Sequence, residues 1–154
     1  MLSASFLSLI HILMTIRQQM KLLCTCLCRQ DELYAAVSKR HGLSYHTAMT
    51  LYALDQDEGC TQKEIAKTWL IPKQTVNTVV KELERQGYVF FQTGKKEKQV
   101  RFTEAGRAFA GPCLQELYEI EDRAVAAMGE ARFREMVEAN RAFTEAFARE
   151  VQHG

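Results

Sequence analysis

The stretch from Thr61 to Gly87 constrains this chain more than any other part of it. Thr61-Gln62-Lys63-Glu64 fits a capping box, in which the Thr61 hydroxyl accepts from the Glu64 amide and the Glu64 carboxylate accepts from the Thr61 amide. Ile65, Ala66 and Leu70 are expected to form the buried side of the short helix that follows. Ile71-Pro72 breaks that helix, because proline disfavours helical geometry in the residue before it yet suits a helix start. From about Lys73 to Gln86, Val76, Val79, Val80 and Leu83 recur at i, i+3, i+4 and i+7, and Gly87 stands where a C-terminal cap belongs. Two helices joined by so tight a break make a helix-turn-helix.

The periodicity then changes. Tyr88–Phe91 is aromatic and β-branched, Gln99–Phe102 alternates, and Gly94-Lys95-Lys96-Glu97 lies between them, which predicts a β-hairpin with a basic tip. Upstream, Met20, Leu23, Leu27, Tyr34 and Val37 mark a helix from about Thr15 to Lys39, ended by His41-Gly42. Ser44 caps a second helix carrying Met49, Leu51, Tyr52 and Leu54, which stops at Asp57-Glu58-Gly59. Downstream, Thr103 caps a helix that Gly111-Pro112 is expected to kink or restart. It continues through Leu114, Leu117, Tyr118 and Ile120 to Met128-Gly129. A last helix, about Glu130–Val151, is expected to bury Phe133, Met136, Val137, Phe143 and Phe147. The fold class is mainly α with a small β-wing: a winged helix-turn-helix core over 44–107. Long helices flank it over 1–43 and 108–154, as lobes of one compact chain, and they suggest association with another copy.

Charge is sorted along this plan. A formal net charge of +1 over 154 residues argues at first against a polyanionic partner. Yet residues 61–107 hold ten Lys/Arg against five acids, residues 1–60 hold five of each sign, and residues 108–154 hold five Arg against nine acids. The helix-turn-helix and wing are therefore the basic part, and sorted charge steers a polyanion to one region. With the valines and Leu83 turned inward, Gln74, Asn77, Thr78 and Lys81 turn outward, with Lys73 and Thr75 at the first turn. Gln and Asn pair with adenine edges, Lys reaches guanine acceptors, and a Thr methyl touches thymine. Thr61, Gln62 and Lys63 open the preceding helix, where amides and the helix dipole favour phosphate. Lys95, Lys96 and Lys98 place charge on the wing.

The residues that carry this layout resemble the MarR family of transcriptional regulators. Ile71-Pro-Lys-Gln-Thr-Val-Asn-Thr-Val-Val-Lys-Glu-Leu-Glu-Arg-Gln-Gly-Tyr-Val89 is similar to that family's recognition helix and first wing strand. Phe102-Thr-Glu-Ala-Gly-Arg107 is similar to the start of its post-wing helix. The resemblance covers roughly residues 44–110 by motif and the whole chain by helix order. It implies a homodimer held by the first and last helices, a palindromic operator in double-stranded DNA, and a small-molecule, thiol or metal signal. One departure stands out: many members carry Asp-x-Arg at the wing, whereas this tip offers Lys alone. Lysine lacks the planar fork of arginine, so this wing is expected to attract the backbone rather than read sequence.

By helix order, Tyr34, His46, Met49, Tyr52 and Phe109 line the cleft where a small aromatic effector is expected, although core packing also accounts for Met and Tyr at helical spacing. Cys24 and Cys28 share a helix face at i,i+4 while Cys26 points elsewhere. That pair is a candidate for sensing an oxidant, with packing as the competing account, and no dedicated metal site or cofactor is expected. An odd count of five cysteines, three of them in five positions, is no secreted disulfide framework. The uncharged run 1–16 has neither the flanks of a signal peptide nor the length of a bilayer span, which points to a cytoplasmic chain without membrane contact. Met14 and Met20 both remain open as start positions. No nucleophile–base pair, phosphate-cradling loop or metal quartet is visible, so an enzyme is not expected. The expected function is a sequence-specific, DNA-binding repressor released by an effector. The alternative is a winged-helix protein-interaction module, or a thiol or metal binder using Cys24, Cys26 and Cys28.

Overall fold

The computed structural model describes residues 14–57, 59–93 and 97–153. The apolar run 1–13 and the wing-tip residues Lys95 and Lys96 lie outside the described residues. Along the chain run α1 (Ile16–Arg40), α2 (Tyr45–Gln56), α3 (Gln62–Thr68), α4 (Lys73–Arg85), β1 (Val89–Thr93), β2 (Lys98–Phe102), α5 (Glu104–Met128) and α6 (Glu130–His153). This is the mainly helical plan with a small wing that the periodicities imply.

Local chemistry sets most boundaries. Thr15 opens α1 with a reciprocal capping box to Gln18, Ser44 accepts from the Thr47 amide at the start of α2, and Thr103 accepts from the Gly106 amide at the start of α5. At the end of α4, Gly87 adopts φ +77. Its amide reaches the Glu84 carbonyl and the Tyr88 amide reaches the Leu83 carbonyl, both at 2.9 Å. That pair of bonds is a Schellman motif, which turns the chain directly into the wing.

The core gathers Leu51 and Leu54 of α2, Ile65 of α3, Val76, Val80 and Leu83 of α4, Val89 and Val100 of the wing, and Cys113, Leu114 and Leu117 of α5. Each of these Leu, Ile and Val side chains contributes roughly 1.5–3 kcal/mol by leaving water. The strands pair antiparallel with Val89 opposite Phe102 and Phe91 opposite Val100. The Val100 amide also reaches the Cys60 carbonyl at 2.9 Å, and Thr61 bridges to Gln99. The wing is thus pinned to the entrance of α3.

Three expectations are corrected. The helix after the wing does not restart at Gly111-Pro112, because α5 runs unbroken from Glu104 to Met128 with Pro112 inside it. Leu70 does not join the buried side of α3: the helix ends at Thr68, and Leu70 sits in the turn at φ +50 with 88% of its surface exposed. The last helix buries none of its side chains, with Phe143 at 40% and Phe147 at 60% exposed. The apolar stripe is real, but none of its side chains is buried by the other described residues. Leu22, Leu27 and Leu33 of α1 are exposed as well.

Candidate nucleic-acid interface

The inward face of α4 is fixed by Val76 and Val80, both fully buried, and by Leu83. Helical geometry then dictates the rest. Lys73, Gln74, Thr78 and Lys81 are exposed, and Thr75 and Asn77 are half-buried along the flank. Four of the six predicted residues of this helix therefore face solvent, and the other two sit on its flanks beside Val76. The Thr78 hydroxyl donates back to the Gln74 carbonyl at 2.9 Å, so its polar group is partly occupied within the helix.

The start of α3 is more committed than the sequence suggests. The Thr61 amide donates to Glu64 at 2.7 Å and the Thr61 hydroxyl accepts from the Glu64 amide at 3.1 Å. That backbone bond holds the Glu64 carboxyl below the ordinary glutamate range. Gln62 is half-buried and Lys63 exposed. Lys63 Nζ lies 3.6 Å from Glu97 of the wing, a surface pair whose charges are well solvated. Lys98 is exposed at the start of β2. Lys63 thus stands beside the wing and Lys98 on its second strand, while Lys73 and Lys81 are exposed on α4.

The five residues expected to line an effector cleft do not converge. Tyr34 and Tyr52 do meet, and they meet on Glu121 of α5. The Tyr34 hydroxyl donates to it at 2.6 Å and the Tyr52 hydroxyl at 3.2 Å. Both line a cavity of about 650 Å³ together with Leu33, Met128 and Phe133. Phe109 instead stacks on Tyr88, with centroids 4.0 Å apart, and lines a separate hollow of about 440 Å³ beside Thr78 and Val79 of α4. Met49 is buried in the core, and His46 is exposed, edge-on to Tyr45 at 5.6 Å. Two residues were missed. Glu121 lies 87 positions from Tyr34, and Trp69, which caps α3, packs edge-on against Tyr52 at 5.2 Å. Nothing in local periodicity marks either one.

Cys24, Cys26 and Cys28 are all exposed on α1, while Cys60 and Cys113 are buried. Burial pushes the Cys60 thiol up to about 11, which keeps it protonated. Among the described residues, no group of three or more His, Cys, Asp or Glu is placed to hold a metal ion. No helix among them is long and apolar enough to cross a membrane.

A family model described as the MarR family matches residues 41–98, the span from the end of α1 through most of the wing. Among solved structures, a MarR family regulator from Neisseria meningitidis aligns with a TM-score of 0.78 and 28% identity, over 88% of this chain and 97% of that one. The Staphylococcus aureus MepR–DNA complex aligns with a TM-score of 0.64 and 18% identity, over 86% and 96%. The Staphylococcus aureus MarR in complex with salicylate and kanamycin aligns with a TM-score of 0.68 and 15% identity, over 87% and 93%. No curated protein sequence matches significantly. A helix-turn-helix match and a fold shared over nearly the whole chain converge: residues 41–98 match the MarR family model, and the chain is similar over 88% of its length to a solved MarR family regulator with a winged helix-turn-helix.

Proposed function

We propose that this DNA-binding regulator acts as a homodimeric repressor on a palindromic operator, each copy laying α4 in the major groove of one half-site. The observation that carries the reading is the outward face of α4, where Lys73, Gln74, Asn77, Thr78 and Lys81 stand on a helix whose opposite face is buried. Side chains of that chemistry on the first turns of a recognition helix meet base edges, while cations around them meet phosphates. Lys63 and Lys98, with Lys95 and Lys96 beyond the described residues, serve as the phosphate contacts. The apolar faces of α1 and α6 join the two copies, and the half-sites then lie about one helical turn, ~34 Å, apart. The three lobes, 1–43, 44–107 and 108–154, divide this work between pairing and DNA contact. A solved MarR-fold protein carries salicylate and kanamycin and another carries DNA, which supports release by a small molecule here. The cleft around Tyr34 and Tyr52 is the place we assign to that effector, and Cys24 and Cys28, exposed on α1, are the thiols an oxidant would reach.

The test is binding to duplexes from the region upstream of its own gene across a salt series. A steep salt dependence with preference for one site supports the reading, and equal affinity for random duplexes sinks it. Asn77→Ala is expected to relax sequence preference at a cost of roughly 1–3 kcal/mol, whereas Lys98→Ala weakens all duplexes alike. Identical behaviour of the two variants would overturn the division into reading and anchoring residues.

A further inference from the structure

We propose that the cleft at Glu121 takes an organic cation, an ammonium group carried on an apolar or aromatic body. The proposal rests on the effector reading above and adds the chemistry of the ligand. The cavity of about 650 Å³ is walled by α1, α5, α6 and Tyr52 of α2. Among the described residues its lining contains two acids, Glu121 and Asp122, no Lys, Arg or His, and a body of apolar side chains such as Leu33, Val125 and Phe133.

Glu121 is half-buried, and the partners that fix it are two neutral phenols, Tyr34 and Tyr52. Burial first, and then the bond to Glu121, push the Tyr34 phenol well above the ordinary tyrosine range. Burial followed by the Glu121 charge pushes Tyr52 up to about 12. Both therefore remain protonated donors near neutral pH. They orient the carboxylate without cancelling its charge. A negative charge facing an apolar chamber favours a counter-cation, and an anionic ligand would meet repulsion there. The faces of Tyr34, Tyr52 and Phe133 add the aromatic surfaces on which an ammonium group rests favourably.

The same cleft has a mechanical outlet. The Tyr52 ring that donates to Glu121 also packs edge-on against Trp69, at 5.2 Å and 71°. Trp69 caps α3 and stands one residue before Leu70, in the turn that sets the position of α4. A cation that draws on Glu121 thereby pulls on the residue holding the helix-turn-helix turn. Trp69 is also the sole tryptophan of the chain, so its fluorescence reports occupancy without any DNA present.

The experiment titrates the full chain with benzyltrimethylammonium and, separately, with 3-phenylpropionate, a similar body bearing the opposite charge, while reading Trp69 emission. A saturable change with the cation alone is expected, weakened about tenfold in Glu121→Gln, as befits loss of the carboxylate charge that faces the quaternary ammonium. Asp122→Lys, a change at an exposed position, weakens it as well and keeps the test standing if Glu121→Gln fails to fold. Equal binding of the carboxylate, unchanged cation affinity in both variants, or silence with the cation overturns the proposal. Silence includes the case of a second copy already filling the cleft. Operator affinity measured in parallel separates this proposal from the effector reading. A cation that binds yet leaves DNA affinity unchanged keeps the ligand class and removes the effector role. A carboxylate that releases DNA does the reverse.

Discussion

At Leu70 the backbone adopts φ +50 beneath a side chain that is 88% exposed, whereas at Gly106 an added Cβ would lie 1.8 Å from the Tyr88 carbonyl oxygen. The first position holds a bulky residue where glycine fits, and the second holds a glycine that nothing can replace. Leu70→Gly is expected to raise stability by up to about 1 kcal/mol, the relieved strain less the freedom that glycine adds to the unfolded chain. Gly106→Ala drives a methyl into main chain that cannot yield, and is expected to cost about 3 kcal/mol or more. Urea midpoints at unchanged slope measure both, and a Leu70→Gly variant less stable than the parent contradicts the strain argument. Residues differ in how far sequence announces them. Gly87 and the Thr61 box act within four positions of themselves, so pattern finds them. Leu70 looked buried because its spacing continued α3, but the helix ends first and the turn rotates it outward. Glu121 escaped because the bonds that define it span 69 and 87 positions.

Among the elements, the junction of α1 with α5 is gripped by an acid, and a second acid stands exposed where the wing meets α3. Glu116 of α5 accepts from His41 Nε2 at 2.6 Å and from the Arg40 guanidinium, gripping the last turn of α1 and its cap. The bonds from His41 and then Arg40 hold its carboxyl below the ordinary glutamate value. A depressed carboxyl contributes stability above the ordinary glutamate range, and that stability is lost as pH falls through the lower, folded value. Glu116→Gln is therefore expected to flatten the acid limb of a stability–pH curve while leaving its alkaline side in shape. An unchanged acid limb removes Glu116 from the junction. At the wing, Glu97 lies 3.6 Å from Lys63 and beside the lysines assigned to phosphate. Glu97→Gln takes away a negative charge facing the polyanion, and is expected to tighten all duplexes by several-fold, most visibly at low salt. Tightening confined to one sequence, or none, assigns Glu97 a different role. The existence and order of these helices were legible because each carries its own cap and stripe. The acids that tie them together were not, since a surface Glu on a helix looks the same whether or not a distant Arg reaches it.

For the whole molecule, the charge that nearly cancels over 154 residues is divided between a basic helix-turn-helix with its wing and an acidic C-terminal lobe. The fold keeps that division, with α4 and the wing on one region and α5 and α6 carrying the acids. The sequence pattern located the apolar stripe of the last helix but placed it inside, because periodicity reports which face is apolar and is silent on what covers it. Phe143 and Phe147 stack on that stripe with centroids 5.9 Å apart and remain exposed. Phe147→Glu is expected to leave a chain that runs at single-copy mass in size-exclusion chromatography with light scattering, while the parent runs as a pair. Equal masses for the two sink the dimer proposal. The burial-free α6 also bears on local opening. A helix draws most of its stability from a packed face, and α6 buries none of its side chains against the other described residues. Its amide protons should consequently be the first to trade with deuterated solvent on dilution, regaining protection as protein is added, while those of Val76 and Val80 in α4 keep a rate indifferent to dose.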